Sequence, residues 1–352
     1  MNYIHLNIIC KISYMKINYK SSGLSGLYNL GNTCFMNSCL QILAHTYELH
    51  NEINNLKTVK NDKLFIEFVN LINELWEKND VVKPNNFHTE FQKKAIEKKN
   101  DNFIGYNQND ASEFIIFLFE EFHNACKVEV NMKLKGTVVN NIDDIAVKCY
   151  NKFIEMYKND YSLFIKLFYH MSVHTNVSLN DNSIISQVYQ PNFILDLPIP
   201  NMKECSLYDC FELYYKNNFL LNENALYDDK TKKKHNVVQK MSLWNSPTIL
   251  IICLKRFSYT GRKNCNLVTF PLKDLKLEKY IIGYNRNTTY DLYGICNHSG
   301  ITSGGHYTSF VKNKQNNWYL FNDKIVSSIP QDKIEEYLIT NKAYCLFFRK
   351  KN

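Results

Sequence analysis

Residues 26–43 read GLYNLGNTCFMNSCLQIL, and this stretch decides how the chain is organised. A Gly-rich polar turn, Gly26 to Thr33, runs straight into an apolar helical pattern led by Phe35, Cys39, Leu40 and Leu43. Cys34 falls at the junction, where a helix N-terminus offers free backbone N–H groups and the positive end of its dipole. Such a setting stabilises a thiolate, the form of cysteine that attacks carbonyls. Taken alone, a cysteine here reads better as a buried thiol on a capped helix, so its meaning rests on the rest of the chain.

At 352 residues the chain has room for one large domain or two average ones, and its 45% hydrophobic content can fill a substantial core. The 24 Tyr and 22 Phe predict an interior heavy in aromatic rings. No repeat and no Gly-, Pro- or Ser-rich linker divides the chain, which favours one domain over residues 23–350 behind an extension at 1–22. A net charge of +8 without a long basic run argues against nucleic-acid binding; the densest patch, Lys232 to Lys234, reads as a solvated loop. Eleven scattered cysteines, with no disulfide-like spacing and no signal peptide, point to a reducing, intracellular setting. No run approaches the roughly 18 apolar residues that span a bilayer.

Periodicity supplies the outline. Leu64, Phe68, Leu71, Ile72 and Leu75 form one helical face, Pro84 and Asn85 punctuate the chain, and a shorter helix is expected over Phe87–Ile96. Residues 107–126, NQNDASEFIIFLFEEFHNAC, carry a stripe through Phe114, Phe117, Leu118, Phe122 and Ala125. Asp110 falls at the start of that helix and Glu113 in its first turn, where acids are good capping residues. Residues 127–170 also read as helical, with Ile145, Cys149, Phe153 and Met156 at helical spacing. From about 171 short Pro-bounded strands take over, interrupted by a helix in 206–218, and Ile249–Cys253 reads as a buried strand. The fold class is α+β.

A cysteine nucleophile needs a base and a group to orient that base. Ten histidines are available, so position decides among them. Residues 290–311, YDLYGICNHSGITSGGHYTSFV, place Gly304 and Gly305 ahead of His306 and a strand after it; KNKQNN then makes a polar turn into WYLFND at 318–323. Such a hairpin joins its outer ends. A register setting Lys312 against Asn316 places His306 opposite Asn322, whose side chain can hold one imidazole nitrogen and leave the other for Cys34. A one-residue slip selects Asp323 instead, because successive strand side chains face opposite ways. His298 is the competing base, although the hairpin offers it no orienter.

These segments together resemble the ubiquitin-specific proteases. Residues 26–43 match the family's Cys box, and 108–114 resemble its Gln-Gln-Asp-Ala-x-Glu-Phe signature, with Asn109 replacing the second Gln. LKRF at 254–257, the His box with Gly-His-Tyr at 305–307, the Trp-Tyr-x-Phe-Asn-Asp run at 318–323 and AYCLFFRK at 343–350 follow in the family's order. The resemblance covers about residues 23–350. It implies a papain-like hand of helical thumb, β palm and β fingers, with the thumb running from Cys34 to about Phe168. It further implies Cys34 as nucleophile, His306 as general base, Asn322 as its orienter with Asp323 in support, and Asn29 as an oxyanion donor. Such a donor is typically worth about 3 kcal/mol of barrier. Asp110, Glu113 and Gln108 would then meet the basic tail of ubiquitin, and Gly304, Gly305 and Tyr307 would line the channel for its terminal Gly-Gly.

The implied activity is thiol-dependent hydrolysis of the (iso)peptide bond after ubiquitin's last glycine. Ubiquitin and ubiquitinated proteins would be the partners of a monomeric enzyme without cofactor. A protease for another ubiquitin-like modifier, or a non-catalytic ubiquitin-binding scaffold, are the alternatives; a scaffold would not need Cys34, His306 and Asn322 together. Many family members bind zinc at the fingertips through two Cys-x-x-Cys pairs. Here those stretches hold HMSVHTNV (170–177) and YDDKTKKKH (227–235), and His170, His174, Asp228 and His235 have no recognisable ligand spacing, so no metal is expected.

Overall fold

Alternating burial makes the strand Ile249–Leu254 the centre of the molecule. All six of its side chains are buried: Ile249, Ile251 and Cys253 enter one core with the N-terminal helices, while Leu250, Ile252 and Leu254 enter a second core on the opposite face. In this computed structural model, which describes residues 5–9, 16–56, 59–229, 231–258, 261–284, 287–301 and 304–351, that strand pairs antiparallel with Ala343–Lys350 and parallel with Ile194–Leu197. Beyond Ala343–Lys350 the sheet continues through Thr289–Ile301, Gly304–Lys312, Trp318–Asn322 and Ile325–Ser328, each antiparallel to the last.

The covering helices are α1 (Cys34–Leu43), α2 (Tyr47–Asn54), α3 (Lys63–Leu75), α4 (Asn85–Glu97), α5 (Ala111–Cys126), α6 (Asn141–Tyr157) and α7 (Leu163–Phe168). The stripes expected in α3, α4 and α5 face inward, where Phe65, Phe68, Phe87, Phe91, Phe103, Phe114 and Phe122 form a ring-on-ring cluster. Helix α1 is buried along its whole length, between α5 and the Gly304–Lys312 and Thr289–Ile301 strands. Gly294 permits this close seat: a Cβ there would lie 2.6 Å from Ile42 Cγ2.

Residues 127–170 are not continuously helical. Asn131–Lys135 is a strand paired antiparallel with His5–Ile9, followed by α6 and α7. The alternation in NMKLK is too short to outweigh helical spacing on either side, and its partner lies at the far N-terminus. Ahead of residue 23, Ile17 is buried, the Lys20 and Ser21 N–H groups both donate to Trp76 O, and Tyr19 meets His50 Nδ1 at 2.8 Å. A second, four-stranded sheet has the order Ile184–Asn192, His170–Ser178, Val237–Leu243 and Asn218–Leu220. Among the described residues, no helix is long and apolar enough to cross a membrane.

Burial leaves four histidines uncharged. It pushes His45 and His298 down to about 4, and His50 and His170 down to about 3. Lys263 adds to the effect at His298 and His45 to that at His50. Below the ordinary value of 6.5 the unfolded chain binds protons at these sites that the folded chain refuses. Stability is therefore expected to hold above pH 6.5 and to fall as pH drops from there toward 4, by roughly 1.4 kcal/mol per pH unit for each histidine. Urea midpoints measured between pH 8 and 5 check this; a flat profile from 7 to 5 would contradict it.

Candidate active site

Cys34 opens α1, and the turn ahead of it is wound on one side-chain oxygen. Asn29 Oδ1 accepts from Gly31 N–H at 3.0 Å, from Thr33 N–H at 3.2 Å and from the Thr33 hydroxyl at 3.2 Å. Those three donors fix the carboxamide, so Asn29 Nδ2 must face the other way, where it donates to Asp323 Oδ2 at 2.9 Å. Thr33 makes no side-chain cap to α1, because its oxygen accepts from Leu30 N–H instead. The free N–H of Phe35 does favour a thiolate, as does the N–H of Tyr307 across the cleft. Burial outweighs both: Cys34 is only 3% exposed, and desolvation, with Asp323 adding to it, raises its pKa above the ordinary range. The helix N-terminus alone does not make this cysteine a standing thiolate. It needs a base.

His306 is the candidate base. Its Nε2 lies 2.7 Å from Asn322 Oδ1, an atom that only accepts, so Nε2 carries the proton of the neutral ring and Nδ1 keeps its lone pair. The pair forms in a different register from the expected one. Lys312 faces Trp318, not Asn316, and Ser309 faces Phe321, which places Asn322 two residues off the His306 position. The turn explains the offset: Asn313 N–H donates to Asn317 O, and Asn316 adopts a left-handed φ of 63° between them. Because the slip is an even number of residues, both side chains stay on one face and meet diagonally.

The either-or choice between Asn322 and Asp323 is also corrected. Asp323 has left the strand; it opens the turn into Ile325–Ser328 with φ 49°, so strand alternation no longer governs it. Its Oδ2 lies 4.0 Å from His306 Nε2, while Oδ1 accepts from Asn37 Nδ2 at 2.8 Å. Asp323 O accepts from Leu27 N–H as well. Asn37 was not among the sequence candidates. Its signal was a polar residue one turn past Cys34 in a helix that is otherwise largely apolar and wholly buried.

The remaining candidates divide. Gln108 is bonded twice to Gly305, and Tyr307 is buried with its backbone N–H toward Cys34. At Gly305 a Cβ would meet His298 Nε2 at 2.2 Å, so internal packing already demands glycine there, whereas Gly304 faces open space. Asp110 caps α5 through Oδ1, accepting from the Ser112 and Glu113 N–H groups, and its Oδ2 accepts from the Tyr344 hydroxyl at 2.6 Å. Glu113 is exposed, and partial burial and the Asp110 charge raise its pKa. His298 is buried away from the Asn322 side, with Lys263 Nζ 2.9 Å from its Nδ1. Cys39 is fully buried against Ala111 O.

Among the described residues no three His, Cys, Asp or Glu side chains gather as a metal site. His170 and His174 lie on one finger strand, and Asp228 and His235 on a separate hairpin, both of the latter bonded to Thr231.

A family model described as ubiquitin carboxyl-terminal hydrolase matches residues 25–348. The ubiquitin carboxyl-terminal hydrolase Usp2 of Drosophila melanogaster is 33% identical over 343 residues, covering 94% of this chain and 35% of that protein. Ubiquitin carboxyl-terminal hydrolase 2 of Homo sapiens is 33% identical over 353 residues, covering 94% and 56%. The chain thus spans between a third and somewhat over half the length of these curated relatives. Among solved structures, a chain of the yeast SAGA DUB module with an Sgf73 variant superposes with a TM-score of 0.70 at 24% identity, covering 97% of this chain and 71% of that one. That likeness shows the fold, the papain-like α+β hand.

The bonding pattern separates the two neighbouring residues at the end of the His306 hairpin. Asp323→Ala leaves the Asn29 and Asn37 amides without their acceptor and is expected to cost roughly 1–3 kcal/mol in urea unfolding. Asn322→Ala should change stability by under about 1 kcal/mol and slow chloroacetamide alkylation of Cys34 at pH 7 about tenfold. Asn322→Ala destabilising more than Asp323→Ala, with Cys34 reactivity unchanged, would reverse these roles.

Proposed function

The chain belongs to the ubiquitin carboxyl-terminal hydrolase family, and on that premise we propose that it is a thiol-dependent deubiquitinase, with residues 23–350 as its catalytic unit. The observation that carries the reading is the 2.7 Å His306–Asn322 bond on the strand whose next residue turns its N–H to Cys34. His306 Nδ1 takes the Cys34 proton as the thiolate attacks the carbonyl carbon of ubiquitin's last glycine. Negative charge develops on the carbonyl oxygen, within reach of backbone N–H groups at the start of α1. Asn29 Nδ2, with one proton committed to Asp323, has its second for the same oxygen. The imidazolium then protonates the departing amine, and a water activated by the neutral ring releases the thioester.

Ubiquitin and ubiquitinated proteins are the proposed partners; a structural neighbour, the SAGA DUB module containing Ubp8, is bound to monoubiquitin. Exposed Glu113 suits the basic tail, and open Gly304 suits an extended diglycine. Asp110 has both oxygens engaged within the chain, so its contribution to tail binding runs through the shape and field of the α5 N-terminus. The ten described cysteines are all free thiols, which supports an intracellular setting for the enzyme.

A ubiquitin carrying a C-terminal electrophile tests this reading. It should label the protein at Cys34, lose all labelling with Cys34→Ala and retain it with Cys39→Ala. Labelling by another modifier's probe but not by ubiquitin's would transfer the activity to that modifier, and labelling that followed Cys39 would overturn the nucleophile.

A further inference from the structure

The outer edge of the His306 strand is only partly covered. Pairing with Trp318–Asn322 ends where Ser309 faces Phe321, while pairing with Thr289–Ile301 on the other side runs on to Gly304. In an antiparallel strand the N–H and C=O of one residue point to the same side, and alternate residues share that side. Gly305 and Tyr307 therefore present their backbone groups on the open edge, and His306 presents its own to Ser299. Two features of the chain meet that edge. The Tyr307 N–H is directed to Cys34, and both backbone groups of Gly305 are taken by Gln108.

Gln108 comes from the other wall of the cleft, in the segment leading into α5. Its Oε1 accepts from Gly305 N–H at 2.6 Å and its Nε2 donates to Gly305 O at 2.8 Å. A carboxamide has the donor and acceptor of a peptide group, so this one side chain stands in for the missing strand at one residue. Gly305 has no side chain of its own to hold it, and the residue that follows is the base. We infer that Gln108 is a positioning residue: its two bonds to Gly305 hold the backbone that carries the His306 ring and the Tyr307 N–H, and it does so within the enzyme, without contacting substrate.

The kinetic readout of this inference rests on the deubiquitinase reading; a second readout does not. For Gln108→Ala and Gln108→Glu, the latter keeping an acceptor but losing the donor, hydrolysis of a ubiquitin–fluorophore amide should show kcat lowered at least tenfold and KM within twofold. The melting temperature should stay within about 2 °C, and alkylation of Cys34 by chloroacetamide, measured without ubiquitin, should slow in parallel with kcat. A rise in KM with unchanged alkylation would make Gln108 a substrate contact and overturn the inference. So would a fall in melting temperature that accounts for the lost activity, or an increase in kcat. If the wild-type protein hydrolyses no ubiquitin amide, the functional reading fails, and the alkylation rates still decide the role of Gln108.

Discussion

One carboxylate ties the two ends of the chain together at the cleft. Asp323 accepts from Asn29 and Asn37, which lie 294 and 286 residues earlier, and its backbone oxygen accepts from Leu27. The side chain is only 15% exposed, so its bonds are made where an unpaired amide is costly. The left-handed φ of Asp323 lets it serve both neighbours, because a residue held in strand alternation beside Asn322 would face away.

The same carboxylate works against the nucleophile. Burial raises the Cys34 pKa and Asp323 adds to it, and the N–H groups of Tyr307 and Phe35 offset only part of that. On the proposed reading, a thiol whose pKa is raised in this way relies on His306 to take its proton when a substrate arrives. Asn322 fixes the tautomer that makes this possible, and it does so with a neutral group that adds no further negative charge next to the sulfur.

Much of this was legible in the residues, for identifiable reasons. Helices α3 and α5 carry long stripes at the 3.6 period, and Ile249–Leu254 is an unbroken apolar run bounded by a proline-containing turn; both signals are local. The His306–Asn322 contact was legible in the hairpin pattern, while the assignment of Cys34, His306 and Asn322 to catalysis rests on the family resemblance. What failed depended on distant or fine geometry. The Asn131–Lys135 strand exists because His5–Ile9 pairs with it, which no local window contains. The hairpin register turned on which of Asn313, Asn316 and Asn317 takes the left-handed position, and all three are asparagines suited to it. The thiolate expected at a helix N-terminus was offset by burial, a quantity that only the packed molecule defines.

The central claim is that a buried, reluctant thiol is made nucleophilic by His306. Its most direct test is the rate of Cys34 alkylation by a small neutral haloacetamide between pH 5 and 10, in the wild type and in His306→Ala. The wild type should react near neutrality, and the variant should gain reactivity only above the ordinary thiol value of 9.0, since burial raises the pKa of Cys34 when no base assists. Superimposable profiles, or a variant as reactive as the wild type at pH 7, would contradict the account.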